Sequence, residues 1–255
     1  MRNKGTRAEW AERLVAASRV QRPIGPGPAP LIINLHGCGG LRPFIEHYTK
    51  AALSRGVAVL NVDSFKPRGL TRLSGSALVC TGVLLQGPER AEDVYALYDW
   101  ARRQPWVDKH RIAFAGWSHG GWTIMDALAL GERATRYCRL SDLPAKPLEG
   151  LAGAIAIYPY MGPGAVTRSL GWAHTKAPLY CLLAGKDQVV GTHFPPRALD
   201  RLEKDGVEVH RLLLPEATHA FDDEGASDPR SRYRPDLLEQ TVAWYGYALT
   251  AMLRK

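Results

Sequence analysis

Apolar residues in this chain fall into short runs, at positions 31–35, 57–62, 112–115, 152–158 and 179–184, and residues 207–214 read as one more strand with Val207, Val209 and Leu212 to Leu214 apolar. Each run has the length of a strand and is too short for a packed helix. The stretches between them space their apolar positions at helical intervals. Residues 44–55, 89–103, 122–130, 198–204 and 237–252 read as helices, the first ended by Gly56. In the second, Val94, Leu97 and Tyr98 share one face. Strands that are apolar throughout are buried on both faces. Alternating with helices, they predict an α/β fold: a mostly parallel central sheet with helices on both sides.

The beginning of the chain follows another pattern. Residues 7–20 read as a short amphipathic helix with Trp10, Leu14 and Ala17 on one face. Residues 22–30 hold Pro23, Gly25, Pro26, Gly27, Pro28 and Pro30, so they are expected to be neither helix nor central strand. Residues 1–30 therefore read as an N-terminal helix and arm, and 31–255 as one catalytic domain. No internal repeat or second composition regime breaks that domain.

Composition changes this picture little. Apolar residues make up 45% of the 255, enough for a packed core. Lys and Arg total 33 against 25 Asp and Glu, a formal charge of +8. The basic residues are scattered, which fits a solvated surface and gives no footprint for nucleic acid. No run approaches the ~18 apolar residues of a membrane span. The residues from Met1 to Arg13 lack the apolar core of a signal peptide. The sequence as written reads as cytoplasmic, with an exported mature form left open. Cys38, Cys80, Cys138 and Cys181 fit no CxxC metal or redox spacing. Cys181 lies inside an apolar run and reads as a buried thiol. No metal or organic cofactor is called for.

In a parallel sheet, chemistry is sought in the loops just past the strands. After the strand at 112–115 comes Gly116-Trp117-Ser118-His119-Gly120-Gly121, which then opens a helix. That strand-turn-helix setting makes G-x-S-x-G a candidate nucleophile elbow, with Ser118 projecting above the sheet. A serine hydroxyl needs a base. His219, past the run at 207–214, is the histidine that follows the last strand after the serine. Asp187, past the run at 179–184, can orient that histidine, giving the order Ser118, Asp187, His219. Asp222 and Asp223 are rivals for the acid. They lie three and four residues past His219, and Asp222, on the same loop, is expected to bond backbone or cap a turn instead. A tetrahedral oxyanion needs two N–H donors. His119 would supply one and Cys38, in Leu35-His36-Gly37-Cys38-Gly39-Gly40, the other. His36 reads as a brace for that loop. Trp117, Tyr158, Tyr160 and Trp172 are candidates for an aromatic or apolar pocket or for core packing. Arg68 is a candidate reader of a substrate carboxylate.

From about Leu31 to the C-terminal helix the chain resembles the dienelactone hydrolase family of α/β-hydrolases. The resemblance rests on the elbow, the glycine-rich loop at 35–40 and Asp63-Ser64-Phe65-Lys66-Pro67-Arg68-Gly69. It rests also on the helix around 90–100 and on Thr218-His219-Ala220-Phe221-Asp222. The founding lactone hydrolases carry cysteine where this chain has Ser118. The resemblance therefore points to the serine-bearing relatives, mostly carboxylesterases. In these a cysteine often follows the Asp63-Ser64-Phe65 loop, here Cys80. The resemblance thus implies a Cys38–Cys80 disulfide bracing the oxyanion loop, with two free thiols as the alternative. The expected function is cleavage of a carboxylic ester, or a lactone, through an acyl-enzyme on a small-molecule substrate. The alternatives are a thioesterase, amidase or peptidase with the same triad, or a non-catalytic binding protein on a hydrolase scaffold. Oligomeric state is not readable.

Overall fold

A computed structural model describes residues 5–80, 82, 84–172 and 175–254. Residues 1–4, on which the reading of the extreme N-terminus partly rests, lie outside the described residues. Seven strands form one sheet: β1 (Arg19–Gln21), β2 (Ala29–Leu35), β3 (Ala58–Val62), β4 (Val107–Trp117), β5 (Gly153–Ile157), β6 (Leu179–Ala184) and β7 (Val209–Leu214). Their spatial order is β1-β3-β2-β4-β5-β6-β7. Every pairing is parallel except β1 with β3. The helices are α1 (Arg7–Ala17), α2 (Ile45–Leu53), α3 (Arg72–Val79), α4 (Gly87–Arg102), α5 (His119–Leu130), α6 (Thr167–Leu170), α7 (Phe194–Lys204) and α8 (Pro235–Leu253).

The strand pleat divides the core in two. Leu31, Ile33 and Leu35 join Val94, Leu97 and Met125 under α1, α4 and α5. Ile32, Val59 and Ile155 face Tyr48, Tyr245 and Leu249 under α2 and α8. The second layer hides a polar chain. Asn34 and Asn61 stand opposite each other in the β2–β3 register. Asn34 Nδ2 donates to Asn61 Oδ1 (2.8 Å), Asn61 Nδ2 to Thr49 Oγ1 (2.9 Å) and Tyr245 Oη to Asn34 Oδ1 (3.1 Å). These bonds satisfy amides that burial would otherwise make costly.

The mostly parallel sheet covered on both faces is as the apolar runs predict. Several boundaries differ, each for a local reason. The first helix stops at Ala17, where the Ser18 hydroxyl donates back to the Leu14 carbonyl. Residues 19–21 then leave the helix to pair with β3, so part of the predicted helix is an edge strand. Pro30 sits within β2, near the strand's start, where a missing N–H is tolerated. Helix α7 begins at Phe194 because Pro195 and Pro196 occupy its first turn. Helix α3 lies where a loop is expected. It is started by a reciprocal cap between Thr71 and Ser74.

Cys38 and Cys80 are joined in a disulfide, while Cys138 and Cys181 are free and buried. The bridge ties the glycine-rich loop after β2 to the C-terminal end of α3, across a separation of 42 residues. Closing a loop of that length restricts the unfolded chain by about 4 kcal/mol in the chain-entropy model. Denatured, unreduced protein is therefore expected to titrate two thiols, and reduction to lower the urea midpoint. Four titratable thiols before reduction would contradict the bridge.

Candidate active site

The site stands at the carboxyl ends of β2, β4, β6 and β7. Strand β4 runs into α5 through a turn so tight that its glycines have no alternative. A Cβ on Gly116 would lie 2.4 Å from the Gly120 carbonyl carbon, and one on Gly120 would lie 2.1 Å from the Leu35 oxygen. Ser118, at the apex, has φ 51° and ψ −111°. A non-glycine residue there carries on the order of 1–3 kcal/mol of strain. Its N–H donates to the Ile157 carbonyl (2.9 Å), and its carbonyl accepts the Trp122 N–H (3.0 Å) that starts the helix. The backbone is thus pinned on both sides, and the hydroxyl points off the sheet.

Two further loops meet that hydroxyl. Ser118 Oγ lies 2.8 Å from His219 Nε2, and His219 Nδ1 lies 2.7 Å from Asp187 Oδ2. The other carboxylate oxygen accepts the N–H groups of Val189 (2.9 Å) and Val190 (3.0 Å). With its carboxylate so held, Asp187 places the imidazole proton on Nδ1 and leaves Nε2 free to accept from Ser118. The loops that carry Asp187 and His219 are also joined directly, by Lys186 N–H to the Ala217 carbonyl (2.8 Å). Gly185 permits this approach, since a Cβ there would meet the Pro215 oxygen at 2.5 Å. Ala220 takes φ 50° just after His219. The Tyr158 ring packs edge-on to the imidazole, centroids 4.9 Å apart.

Asp222 and Asp223 point elsewhere. Asp222 is fully buried and accepts from Tyr48 Oη (2.6 Å), Tyr158 Oη (2.5 Å) and Trp117 Nε1 (3.2 Å). The expectation that it bonds backbone or caps a turn is replaced by an aromatic cage. Burial pushes its pKa up, against the pull of the Tyr158 and Tyr48 hydroxyls. Asp223 pairs with Arg42 at 2.8 Å.

The glycine-rich loop passes close to Ser118. A Cβ on Gly37 would lie 3.4 Å from Ser118 Cβ. Gly40 N–H closes the loop onto the Gly37 carbonyl at 3.2 Å. His119 is the first residue of α5, where backbone N–H groups have no carbonyl one turn back. Gly37, next to Cys38 in the chain, and His119 therefore both border Ser118.

Both neighbouring imidazoles are neutral. His36 Nε2 accepts the Ser64 N–H (3.2 Å), so its Nδ1 donates to the Gly37 carbonyl (2.6 Å). His119 Nδ1 accepts from Arg90 Nη1 (3.1 Å), so its Nε2 donates to the Leu85 carbonyl (2.8 Å). Burial, then the Arg90 charge, pulls the His119 pKa down to about 3 and that of His36 well below its usual value. His119 thus has no free lone pair for Ser118. Unfolding returns both rings to water, where they bind protons near pH 6.5. Their folded values are depressed, so stability is full above about pH 6.5 and falls as pH drops toward 3. Each ring contributes up to about 1.4 kcal/mol per pH unit. Urea midpoints measured from pH 7.5 down to 4.5 are expected to fall, less steeply in His119→Ala. An equal slope in the variant would contradict this.

Trp117 and Tyr160 take the packing alternative, and Arg68 is placed differently from the sequence expectation. Trp117 is fully buried among Tyr48, Phe44 and Tyr245, which is core packing. Tyr160 packs its ring on Trp122 (4.7 Å) and donates its hydroxyl to Pro163. Its backbone N–H, rather than its side chain, reaches the Ser118 carbonyl, at 3.4 Å. Arg68 holds Asp93 (2.7 Å) and Glu92 (3.0 Å) and lies over the Trp10 ring, so its guanidinium is occupied and does not await a substrate carboxylate. Trp172 is buried, with Nε1 on the Met125 carbonyl. An open cavity of about 220 Å³, lined by Tyr158, Pro159, Leu183, Val190 and Leu213, abuts Asp187. Among the described residues no cluster could hold a metal ion, and no helix is long and apolar enough to cross a membrane.

This arrangement of sheet, elbow and loops is the α/β-hydrolase fold. Within that fold the likeness runs to dienelactone hydrolases and small esterases. The sequence profile of the prolyl oligopeptidase family matches residues 45–137. A 31.7 kDa protein from the traX-finO intergenic region of Escherichia coli is 30% identical over 122 residues. That match spans 48% of this chain and 39% of the relative. Among solved structures, the dienelactone hydrolase-like promiscuous phosphotriesterase P91, from metagenomic libraries, superposes with a TM-score of 0.70 at 15% identity. It covers 92% of this chain and 99% of its own. Est1E of Butyrivibrio proteoclasticus, with ferulic acid bound, gives 0.64 at 16% identity, over 93% and 95% of the two chains. A dienelactone hydrolase of Anabaena variabilis gives 0.60 at 18%, over 93% and 92%.

Proposed function

We propose that the protein hydrolyses a carboxylic ester, with Ser118 as nucleophile, His219 as general base and acid, and Asp187 as the group that orients the base. The observation that carries this is the hydrogen-bonded line from Ser118 Oγ through His219 to Asp187, at 2.8 and 2.7 Å. Ser118 Oγ attacks the ester carbonyl carbon as its proton passes to Nε2. The carbonyl oxygen becomes an oxyanion held by the N–H groups of Cys38 and His119. Collapse expels the alcohol, which takes the proton back from Nε2, and leaves an ester on Ser118. Water, deprotonated by the same nitrogen, then attacks this acyl-enzyme and releases the acid. Asp187 stabilises the imidazolium in both half-reactions. The apolar cavity beside Asp187 favours an uncharged acyl or alcohol group.

The test is stopped-flow hydrolysis of p-nitrophenyl esters of graded chain length, beside matched anilides and thioesters. Turnover of esters with a p-nitrophenol burst of up to one equivalent is expected. Turnover of anilides or thioesters alone would replace this reading.

A further inference from the structure

Arg90 lies on α4, and its side chain is fully buried. Burying a guanidinium is costly unless its donors are met. Here they are met unevenly. Nε donates to Ser64 Oγ (3.1 Å). Nη1 donates to the His36 carbonyl (2.8 Å) and to His119 Nδ1 (3.1 Å). Nη2 is buried with no hydrogen-bond partner among the described residues. Asp93 stands 3.8 Å from Nε, but its oxygens already accept from Arg68 and Trp10. An unmet buried donor is destabilising, and an apolar side chain of similar volume is often at least as stable in such a place. Stability alone does not account for an arginine here.

Its bonds point to another role. His36 immediately precedes Gly37 and Cys38, the segment that carries one proposed oxyanion donor. His119 is the residue that carries the other. A single guanidinium nitrogen, with its two hydrogens, spans both. Ser64 closes the frame, since its hydroxyl takes Nε while its N–H donates to the His36 ring. The carbonyl and the ring of His36 are thus fixed from one anchor.

We propose that Arg90 is a positioning residue that sets the spacing between the oxyanion donors of Cys38 and His119. It does so by holding the His36 carbonyl and the His119 ring with one nitrogen. This rests on the ester-hydrolase reading above. Burial lowers the Arg90 pKa only to about 10, so it stays a cation and a donor at neutral pH. A lysine keeps the charge but lacks the planar fork that meets three acceptors at fixed angles.

The experiment compares wild type, Arg90→Lys and Arg90→Met with p-nitrophenyl acetate, after urea titration has established that each variant is folded. Losing the alignment of one oxyanion donor is expected to lower kcat by about 10²-fold in both variants, with KM changed less than about threefold. Equal losses in both would place the effect in geometry, because lysine retains the charge. A folded Arg90→Lys protein with kcat within about threefold of wild type would overturn the proposal. If neither variant folds, His119→Ala tests the same link from its other end. It leaves the backbone donor in place and removes one acceptor of Arg90, so kcat is expected to fall about tenfold at constant KM. An unchanged kcat there would overturn the proposal too. A wild-type protein without esterase activity would instead remove the underlying reading, which separates the two failures.

Discussion

Replacing Ser118 with alanine is expected to lower ester turnover by about 10⁴-fold or more while the protein remains folded. The hydroxyl is the one group placed 2.8 Å from His219 Nε2. His119, next in sequence, is held on both ring nitrogens by Arg90 and Leu85 and has no lone pair to offer. The substitution also removes no structural bond made by the side chain other than that to His219. The strained backbone at φ 51° is fixed by main-chain bonds that alanine keeps. Stability is therefore expected within about 1 kcal/mol of wild type. Turnover near the wild-type rate, by p-nitrophenyl ester assay, would remove Ser118 from the chemistry.

Replacing Asp187 with asparagine is expected to lower kcat by about 10²–10⁴-fold. The amide retains the shape but cannot both accept from Nδ1–H and carry the charge that stabilises the imidazolium. An asparagine Nδ2 turned toward Nδ1 would favour the opposite tautomer, with the proton on Nε2, which then cannot accept from Ser118. Asp222→Asn is the informative control. Its carboxylate meets three aromatic donors and not the imidazole. Its replacement is expected to cost stability, on the order of 1–3 kcal/mol, with kcat within about tenfold. A larger kcat loss in Asp222→Asn than in Asp187→Asn would reverse the assignment.

The parts of the site that were legible in the sequence are those whose physics is local. The elbow is written in glycines because Gly116 and Gly120 leave no space for a Cβ. That His219 and Asp187 meet Ser118 follows from strand order, since loops past successive parallel strands open on one edge. The parts that were not legible depend on what lies across the fold. Adjacency to Ser118 suggests a pocket role for Trp117. Alternation along β4, however, turns its ring under the sheet toward Tyr48, Tyr245 and Asp222. Arg68 looks available in a loop, yet its partners, Glu92 and Asp93, are on a helix 24 and 25 residues on. Arg90 stands between Glu89 and Glu92 at the start of a helix, where its charge does not announce burial. Its burial comes from the packing of α4 against α1, α5 and the sheet. The disulfide is implied by the resemblance alone; what brings Cys80 to Cys38 is α3, which the apolar pattern does not announce.

The central claim is that Ser118 is an activated nucleophile, and covalent labelling tests it most directly. The protein would be treated with a fluorophosphonate at neutral pH, then read by intact mass and peptide mapping. One adduct per chain is predicted, on Ser118, and none on Ser118→Ala. Labelling is predicted to slow sharply in Asp187→Asn, because the base is no longer oriented. A folded wild-type protein that takes no adduct, or takes it at another residue, would contradict the account.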